Sequence, residues 1–209
     1  MRRPPTLKTI EAFASVQGEG LRQGEPTLFV RLAGCNLRCP FCDTKRAWRG
    51  GRRRTVAEIA DEIRKLRRGF PARWVCLTGG EPLAQDIGPL VRELRRQGLF
   101  VQVETNGTFE PGPSADWYTV SPKPPAYMFH PGFRKKATEV KLVVSRGLAA
   151  ETVRAVRRAF PPAVPVLLQP QSNAPWSRQK AMQLLQEASR QGLENIRVSV
   201  QLHKIYGLK

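Results

Sequence analysis

Short apolar runs alternate along the chain with segments whose apolar residues recur at helical spacing. The runs predict seven strands, at residues 27–34, 74–80, 99–107, 116–121, 138–145, 165–170 and 195–203. Helical periodicity predicts four helices, at residues 55–69, 87–98, about 149–160 and 177–192. The first helix has the clearest boundaries, since Thr55 and Glu58 have capping-box spacing and Gly69 can end it.

This alternation of strands and helices indicates an α/β fold with a parallel sheet and right-handed crossovers. Four helices are too few for a complete eightfold barrel, because the links at 105–115 and 122–137 carry no helical period. We therefore expect one domain over residues 1–209, built as an open, partial (β/α) barrel with a reduced number of helices. Polar motifs follow five of the strands, at the end where such folds carry their chemistry: GCNLRCPFCDT, TGGEP, ETNGT, SPK and LQPQ.

The composition agrees with a globular protein, since 41% of the 209 residues are hydrophobic. No apolar stretch is long enough to span a bilayer, and no apolar signal core follows the first arginines, so the sequence predicts a cytoplasmic protein without membrane contact. The net charge of +18 raises the question of a nucleic-acid partner. However, the basic residues are dispersed and no helix-turn-helix or zinc-finger spacing accompanies them, which favours a solvated surface or an anionic small substrate.

Three cysteines, Cys35, Cys39 and Cys42, lie within eight positions directly after the strand at 27–34. In a reducing compartment such a cluster indicates a metal or redox site rather than a disulfide. Structural zinc normally requires four protein ligands. Cys76 could supply the fourth, but it lies within the apolar run WVCL and is predicted to be a buried structural thiol. A cubane cluster held by three cysteines is the other possibility, and it would leave one iron open.

The loop CNLRCPFC resembles the CxxxCxxC loop of radical S-adenosylmethionine enzymes. In that superfamily the open iron chelates the methionine moiety, and reductive cleavage yields a 5′-deoxyadenosyl radical. LTGGEP at 77–82 resembles the glycine-rich strand end at which backbone meets the methionine amino group. Glycine suits that role because it lets backbone approach a ligand closely.

The flanking residues are similar to the 7-carboxy-7-deazaguanine synthase family almost throughout the chain. The resemblance runs through EAFASVQGEG, TGGEP, ETNGT, SPK, EVKLVV, LQP and QLHKIYG. It implies a short barrel, a homodimer, and ring contraction of 6-carboxy-5,6,7,8-tetrahydropterin to 7-carboxy-7-deazaguanine with loss of ammonia, on the route to queuosine. It also implies a [4Fe–4S] cluster, S-adenosylmethionine as a cofactor, Mg²⁺, and an electron donor such as flavodoxin or ferredoxin.

The same resemblance implies roles for individual residues. Cys35, Cys39 and Cys42 would hold the cluster, and Thr44 would bind Mg²⁺. The implied S-adenosylmethionine contacts are Phe41, Cys42, Asp43, Gly79, Gly80, Ser121, Pro122, Lys123, Gln169, Pro170, Gln171 and Ser172. The implied substrate contacts are Val16, Gln17, Gly18, Arg31, Thr78 and Glu104. The stretch LQPQSN departs from the family pattern because it lacks an acidic residue soon after the proline, and His203 is interpreted as a hydrogen-bonded structural residue.

Two other functions remain open at the level of sequence. A glycyl-radical activating enzyme would share the cysteine loop and the small size, but it does not call for the VQGEG segment. A zinc-stabilised RNA-binding module would explain the charge and the three cysteines, but not TGGEP or the alternation of strands and helices.

Overall fold

A long first strand precedes all the strands that the hydrophobic pattern predicts. The computed structural model describes residues 3–112 and 115–208. The strands are β1 Thr6–Val16, β2 Pro26–Leu32, β3 Arg52–Thr55, β4 Trp74–Gly79, β5 Phe100–Thr105, β6 Trp117–Val120, β7 Glu139–Val144, β8 Val166–Pro170 and β9 Ile196–Val198. The helices are α1 Val56–Gly69, α2 Gly88–Arg96, α3 Phe133–Lys136, α4 Ala150–Ala159, α5 Pro175–Arg190 and α6 Leu202–Ile205.

The contacts between residues divide the chain into two compact units. The first unit comprises Met1–Val16, Glu25–Thr105 and Pro111–Tyr118, and the second comprises Gln17–Gly24, Asn106–Glu110 and Thr119–Lys209. The prediction of a single domain over residues 1–209 remains a prediction.

The first unit is built on the strand order β3-β1-β2-β4-β5. Strands β2, β4 and β5 run parallel, while β1 pairs antiparallel with both β2 and β3. Helix α1 packs against β1 and α2, and α2 packs against β5. The capping box at the start of α1 forms as predicted, with the Thr55 hydroxyl accepting from the backbone N–H of Glu58 at 3.2 Å.

The buried thiol of Cys76 lies in the core of this first unit. It forms a cluster with Phe13 and Phe29, whose rings stack with their centroids 5.0 Å apart. The side chain of Cys76 is fully buried, which confirms the prediction of a structural thiol.

The second unit carries strands in the order β6-β7-β8-β9, and all of these pairs are parallel. Helix α5 packs against β7, β8, β9 and α4. Strand β8 is buried along its whole length, as expected for a parallel strand covered by helices.

Strands β3 and β9 each pair on one side only among the described strands, so the sheet is open. The predicted class, an open, partial (β/α) barrel with few helices, is therefore confirmed. The prediction was wrong at several places, and it left out β1 altogether. The last strand ends at Val198 rather than at residue 203, and Leu202–Ile205 forms a short helix instead. Arg52–Thr55, for which no strand was predicted, is a strand.

Candidate active site

The cysteine loop begins where β2 ends and is closed by backbone hydrogen bonds. Gly34 has a φ of +93°, and its N–H donates to the carbonyl of Ala47 at 2.9 Å. Ala47 belongs to a short 3₁₀ helix, Lys45–Trp48, which follows the last cysteine. The loop therefore folds back on its own starting point, so that the three thiols are carried on one closed turn.

All three thiols of this loop are half-buried and none forms a disulfide. Burial raises the pKa of the Cys35 thiol, and the nearby carboxylate of Glu81 and thiol of Cys42 raise it further. The N–H of Leu37, which donates to Cys35 Sγ at 3.4 Å, and the charge of Arg38 oppose this effect. A metal would therefore have to displace the proton of Cys35 in order to bind.

The glycine-rich turn after β4 is joined to the cysteine loop through the backbone. The N–H of Gly80 donates to the carbonyl of Leu32 at 3.0 Å, and the N–H of Glu81 donates to the carbonyl of Gly34 at 2.7 Å. A Cβ atom at Gly80 would lie 1.9 Å from the Gly34 carbonyl oxygen. Glycine is therefore required here because the two loops touch backbone to backbone. An ammonium group donates hydrogen bonds and accepts none, so a backbone turn of this kind can receive one on its carbonyl oxygens.

Glu81 of the same turn is fully buried and joins two strand ends. Its carboxylate accepts hydrogen bonds from the Thr105 hydroxyl at 2.7 Å and from the N–H of Leu83 at 3.0 Å. Sequence reasoning gave Glu81 no role of its own. Its place in the sequence could have indicated a role, since Glu81 stands between two glycines and a proline at the end of an apolar strand. A charge at such a place is buried and needs hydrogen-bond partners.

Arg31 and Thr44, predicted to bind the substrate and magnesium, belong to one hydrogen-bonded row. Arg31 lies beside Thr78 in the parallel register of β2 and β4. Its Nη1 donates to Thr44 Oγ1 at 3.2 Å, and Thr44 donates to Asp43 Oδ1 at 3.0 Å. Its Nε donates to Glu11 Oε1 at 3.0 Å. The predicted carboxylate-binding arginine is therefore held by Glu11, a residue of the unpredicted strand β1.

Glu104, also predicted to contact the substrate, lies in the last part of β5. It is half-buried and accepts a hydrogen bond from Gln102 Nε2 at 3.2 Å.

In the second unit the SPK motif follows β6, as predicted. The Ser121 hydroxyl donates to the Lys141 carbonyl at 2.8 Å, and the Lys123 ammonium donates to Ser121 Oγ. The LQPQSN segment follows β8. Gln169 is 1% exposed, its Oε1 accepts from the Ser199 hydroxyl at 2.8 Å, and its Nε2 has no partner among the described residues. A buried amide donor without a partner fits a ligand that brings an acceptor.

The VQGEG segment is fixed by two charged side chains of β7. Lys141, almost fully buried, forms an ion pair with Glu19. Burial alone would raise the pKa of Glu19, but the charge and hydrogen bond of Lys141 and a hydrogen bond from Gln201 lower it to about 2. Glu139 is fully buried and accepts from the N–H of Leu21 at 2.7 Å. Sequence reasoning missed this pair, although two charges spaced by two positions in an apolar strand must share one face.

The glycines of this segment have close neighbours in the same unit. A Cβ atom at Gly18 would lie 2.3 Å from His203 Nδ1, and one at Gly20 would lie 2.3 Å from Glu139 Oε1. Gly20 also has a φ of +76°. His203 lies against Gly18, and its interpretation as a hydrogen-bonded structural residue stays a prediction.

The described residues fit the groups that such motifs bind. Three free thiols on one closed loop are soft ligands suited to iron–sulfur. The glycine turn lies against that loop, because Gly80 and Gly34 are so close that a Cβ at Gly80 would clash with the Gly34 carbonyl oxygen. The orphaned Gln169 Nε2 provides a donor at the carboxyl end of β8.

Comparison with known proteins agrees with this site. The family model described as the Radical SAM superfamily matches residues 29–112. The 7-carboxy-7-deazaguanine synthase of Aquifex aeolicus is 37% identical over 100% of this chain and 98% of its own length. That of Rhodospirillum rubrum is 37% identical over 93% of this chain and 89% of its own. The crystal structure of QueE from Escherichia coli matches with a TM-score of 0.79 at 28% identity, and 95% of each chain is covered.

The open α/β fold, the three-cysteine loop and these matches define a radical S-adenosylmethionine enzyme. Within that superfamily, the chain belongs to the 7-carboxy-7-deazaguanine synthase family. Membership confirms the predicted enzyme class and the predicted cofactors, a [4Fe–4S] cluster, S-adenosylmethionine and Mg²⁺. The family is neither that of the glycyl-radical activating enzymes nor a class of zinc-stabilised RNA-binding modules, which were the two alternatives. Separately, none of the helices in the described ranges has the length and apolarity that a membrane span requires.

Proposed function

We propose that the chain converts 6-carboxy-5,6,7,8-tetrahydropterin to 7-carboxy-7-deazaguanine with release of ammonia, in the synthesis of 7-deazapurines such as queuosine. The observation that carries this proposal is the backbone junction between the cysteine loop and the TGGEP turn. It holds a three-thiol site beside a turn that offers carbonyl oxygens to an ammonium group.

In the first unit, Cys35, Cys39 and Cys42 would hold the [4Fe–4S] cluster through their thiolates. The turn at Gly79 and Gly80 would receive the methionine ammonium group of S-adenosylmethionine on backbone oxygen. The side of the cofactor nearest the loop would be lined by Phe41, Cys42 and Asp43. When bound, the cluster and S-adenosylmethionine supply one-electron chemistry that abstracts a hydrogen atom.

Thr44 would bind Mg²⁺ through its hydroxyl oxygen. That oxygen already accepts a hydrogen bond from Arg31 and its proton points at Asp43. A divalent cation at Thr44 would therefore have a carboxylate beside it, and Mg²⁺ takes its remaining ligands from water and substrate oxygens.

Arg31 would bind the substrate carboxylate, with Thr78 beside it on the neighbouring strand. Glu11 takes the Nε–H of Arg31, and this ion pair fixes the plane of the guanidinium before the substrate arrives. Planar, pre-oriented donors are well suited to a carboxylate. Glu104 would accept from the N–H edge of the aminopyrimidine, and Val16, Gln17 and Gly18 would contact the pterin.

In the second unit, two segments would contact S-adenosylmethionine at the carboxyl ends of parallel strands. They are Ser121, Pro122 and Lys123 after β6, and Gln169, Pro170, Gln171 and Ser172 after β8. Gln169 Nε2 is the clearest donor among them, because it is buried and unpartnered within the described residues.

The substrate and the proposed product differ by one molecule of ammonia. The overall reaction therefore needs no net oxidation, and S-adenosylmethionine can be regenerated after each turnover. The electron that starts the cycle would come from a flavodoxin or ferredoxin.

We further propose a cytoplasmic homodimer, which size-exclusion chromatography with light scattering would test.

The test is an anaerobic preparation assayed for iron and sulfide, and then incubated with reductant, S-adenosylmethionine, Mg²⁺ and 6-carboxytetrahydropterin. We expect about four irons per chain, as the cluster type requires, and formation of 7-carboxy-7-deazaguanine with one equivalent of ammonia. Formation of 5′-deoxyadenosine only with another substrate or with a protein partner would refute the proposal.

A further inference from the structure

Gln201 carries a buried hydrogen-bond acceptor that the described residues leave unused. Its side chain is nine-tenths buried, with an exposed fraction of 7%. The amide Nε2 donates to Glu19 Oε1 at 2.7 Å. The amide oxygen Oε1 has no hydrogen-bond partner in residues 3–112 and 115–208. A buried acceptor without a partner is costly, so it indicates that something else supplies a donor.

The chemistry of Glu19 decides which end of this amide is free. An ionised carboxylate accepts hydrogen bonds and donates none, so the NH₂ group of Gln201 must face Glu19. Lys141 forms an ion pair with the other carboxylate oxygen of Glu19 and keeps it ionised. The row Lys141–Glu19–Gln201 therefore fixes the amide with its oxygen pointing away from Glu19.

The backbone of Gln201 is held as firmly as its side chain. Its N–H donates to Asn173 Oδ1 at 3.0 Å, and its carbonyl accepts from Asn173 Nδ2 at 2.8 Å. Asn173 follows Ser172, at the end of the segment assigned above to S-adenosylmethionine. The next residue, Leu202, donates its N–H to the carbonyl of Gly18 at 2.8 Å. Gln201 is thus hydrogen-bonded to the segment that contains the pterin contacts and to the one that contains the cofactor contacts.

We propose that Gln201 is a specificity-determining residue whose Oε1 accepts a hydrogen bond from an N–H group of the reduced pterin ring. This inference rests on the proposed function and adds a substrate contact to it. A tetrahydropterin carries N–H donors on both of its rings, so it can satisfy an acceptor of fixed orientation. A heterocycle without the matching N–H would leave Oε1 buried and unpaired, and a site built to hydrogen-bond a substrate group discriminates strongly against ligands that lack it.

The test is a thermodynamic cycle in which the amide of the protein and the N–H groups of the ligand are changed separately and together. Cluster-loaded protein would be titrated anaerobically by calorimetry, without S-adenosylmethionine so that no turnover occurs. The ligands are 6-carboxytetrahydropterin and analogues from which one N–H at a time has been removed or methylated. The proteins are the wild type, Gln201→Met, and Gln191→Met as a matched control, because Gln191 also donates to a glutamate but at an exposed place.

We expect one analogue to bind the wild type and the Gln191 variant about 10-fold or more weakly than the parent ligand, as for loss of one buried hydrogen bond. The same analogue should bind Gln201→Met within about twofold of the parent, since a thioether is only a weak acceptor. The inference is overturned if every analogue loses the same factor in wild type and Gln201→Met. It is also overturned if Gln201→Met binds the parent as tightly as the wild type does.

A second variant covers the case in which Gln201→Met does not fold. Glu19→Gln leaves Gln201 in place but lets its amide turn, because a neutral amide can both donate and accept. Discrimination against the same analogue should then fall several-fold, and unchanged discrimination would overturn the inference. Failure of the wild type to bind any of these pterins would instead refute the proposed function, so the two failures are distinguishable.

Discussion

The carboxylate of Glu139 accepts a hydrogen bond from the backbone N–H of Leu21, which lies 118 positions earlier in the chain. Its other oxygen accepts from the Thr119 hydroxyl at 2.7 Å. A glutamine has only one acceptor oxygen, so it could accept from one of these two donors and would leave the Thr119 hydroxyl to reverse its role or the Leu21 N–H without its acceptor. One oxygen of this buried carboxylate thus attaches the loop at 17–24 to strand β7, and the other joins β7 to β6.

We expect Glu139→Ala to lower the free energy of unfolding by about 1–3 kcal/mol, because it leaves buried donors without an acceptor. Glu139→Gln should lose less, since one of the two bonds can persist. Denaturant unfolding followed by circular dichroism measures both values. The KM for the pterin should rise in the same order if Gln17 and Gly18 contact it.

Glu151→Ala is the control for these two variants, because Glu151 is exposed. Equal stability of all four proteins would mean that Glu139 does not hold the loop.

Gly80→Ala should prevent the cysteine loop from reaching its position. A Cβ would meet the Gly34 carbonyl oxygen at 1.9 Å, and neither backbone can move without losing the junction between the two turns. Overpacking of this kind costs about 1–3 kcal/mol. We expect a destabilised protein that retains little iron after anaerobic reconstitution.

Gly69→Ala is the matched control, because no atom lies within 4 Å of a Cβ at that position. Alanine there should leave iron content and stability as they are, or raise stability slightly. Full iron loading of Gly80→Ala would contradict the tight junction.

Alanine substitution should separate the four cysteines into two groups. Cys35→Ala, Cys39→Ala and Cys42→Ala should each abolish iron binding and cleavage of S-adenosylmethionine. Cys76→Ala should keep the iron–sulfur cluster, because the thiol belongs to a buried apolar group with Phe13 and Phe29, and should cost only about 1 kcal/mol of stability. Iron and sulfide analysis of the four variants decides this, and a colourless Cys76→Ala protein would refute it.

The Lys141–Glu19 ion pair should make stability depend on pH in the acid range. The pKa of Glu19 falls from 4.5 to about 2 on folding, so the carboxylate stabilises the folded state wherever it is ionised. That contribution should be complete above about pH 5 and should vanish as the pH falls through about 2. A shift of this size corresponds to roughly 3 kcal/mol.

Comparison with Glu19→Gln isolates this effect. The difference in unfolding free energy between the two proteins should be constant above about pH 5 and shrink steadily toward pH 2. The exposed Glu194→Gln should follow the wild type throughout. A wild-type advantage that persists unchanged at pH 2 would rule out the ion pair as its source.

Glu11→Gln should weaken substrate binding without removing Arg31. The ion pair that fixes the guanidinium would be lost, so a rise in KM of several-fold with little change in kcat is expected. Arg46, which also contacts Glu11, is largely exposed, and Arg46→Met should leave KM near the wild-type value. A change confined to kcat in Glu11→Gln would show that Glu11 acts elsewhere.

Where local sequence determines the structure, the hydrophobic pattern predicts it. The capping box of α1 depends on neighbours within a few residues, and it forms as expected. Strand β1 was missed because it carries polar residues, such as Lys8 and Glu11, among its apolar ones. The strand forms by pairing with β2 and β3, and a local pattern of residues does not encode that pairing.

The end of β9 illustrates the same limit. The alternation of apolar and polar residues continues to residue 203, but the strand ends at Val198. Beyond it, the Ser199 hydroxyl bonds to Gln169 and the Gln201 backbone bonds to Asn173. These partners lie about 30 positions away in the chain. A periodic pattern has no means of representing them, and for the same reason it could not reveal the contacts of Glu19 with Lys141 and Gln201.

The edge strand β3 gives part of the large positive charge a physical consequence. Arg52 and Arg53 are exposed on it, and β3 pairs only with β1 among the described strands. An open sheet edge can be extended by a strand from another molecule, and charged side chains oppose such growth. Two copies that approached edge to edge would bring four guanidinium groups together. The arginines therefore oppose aggregation through the unpaired side of the sheet.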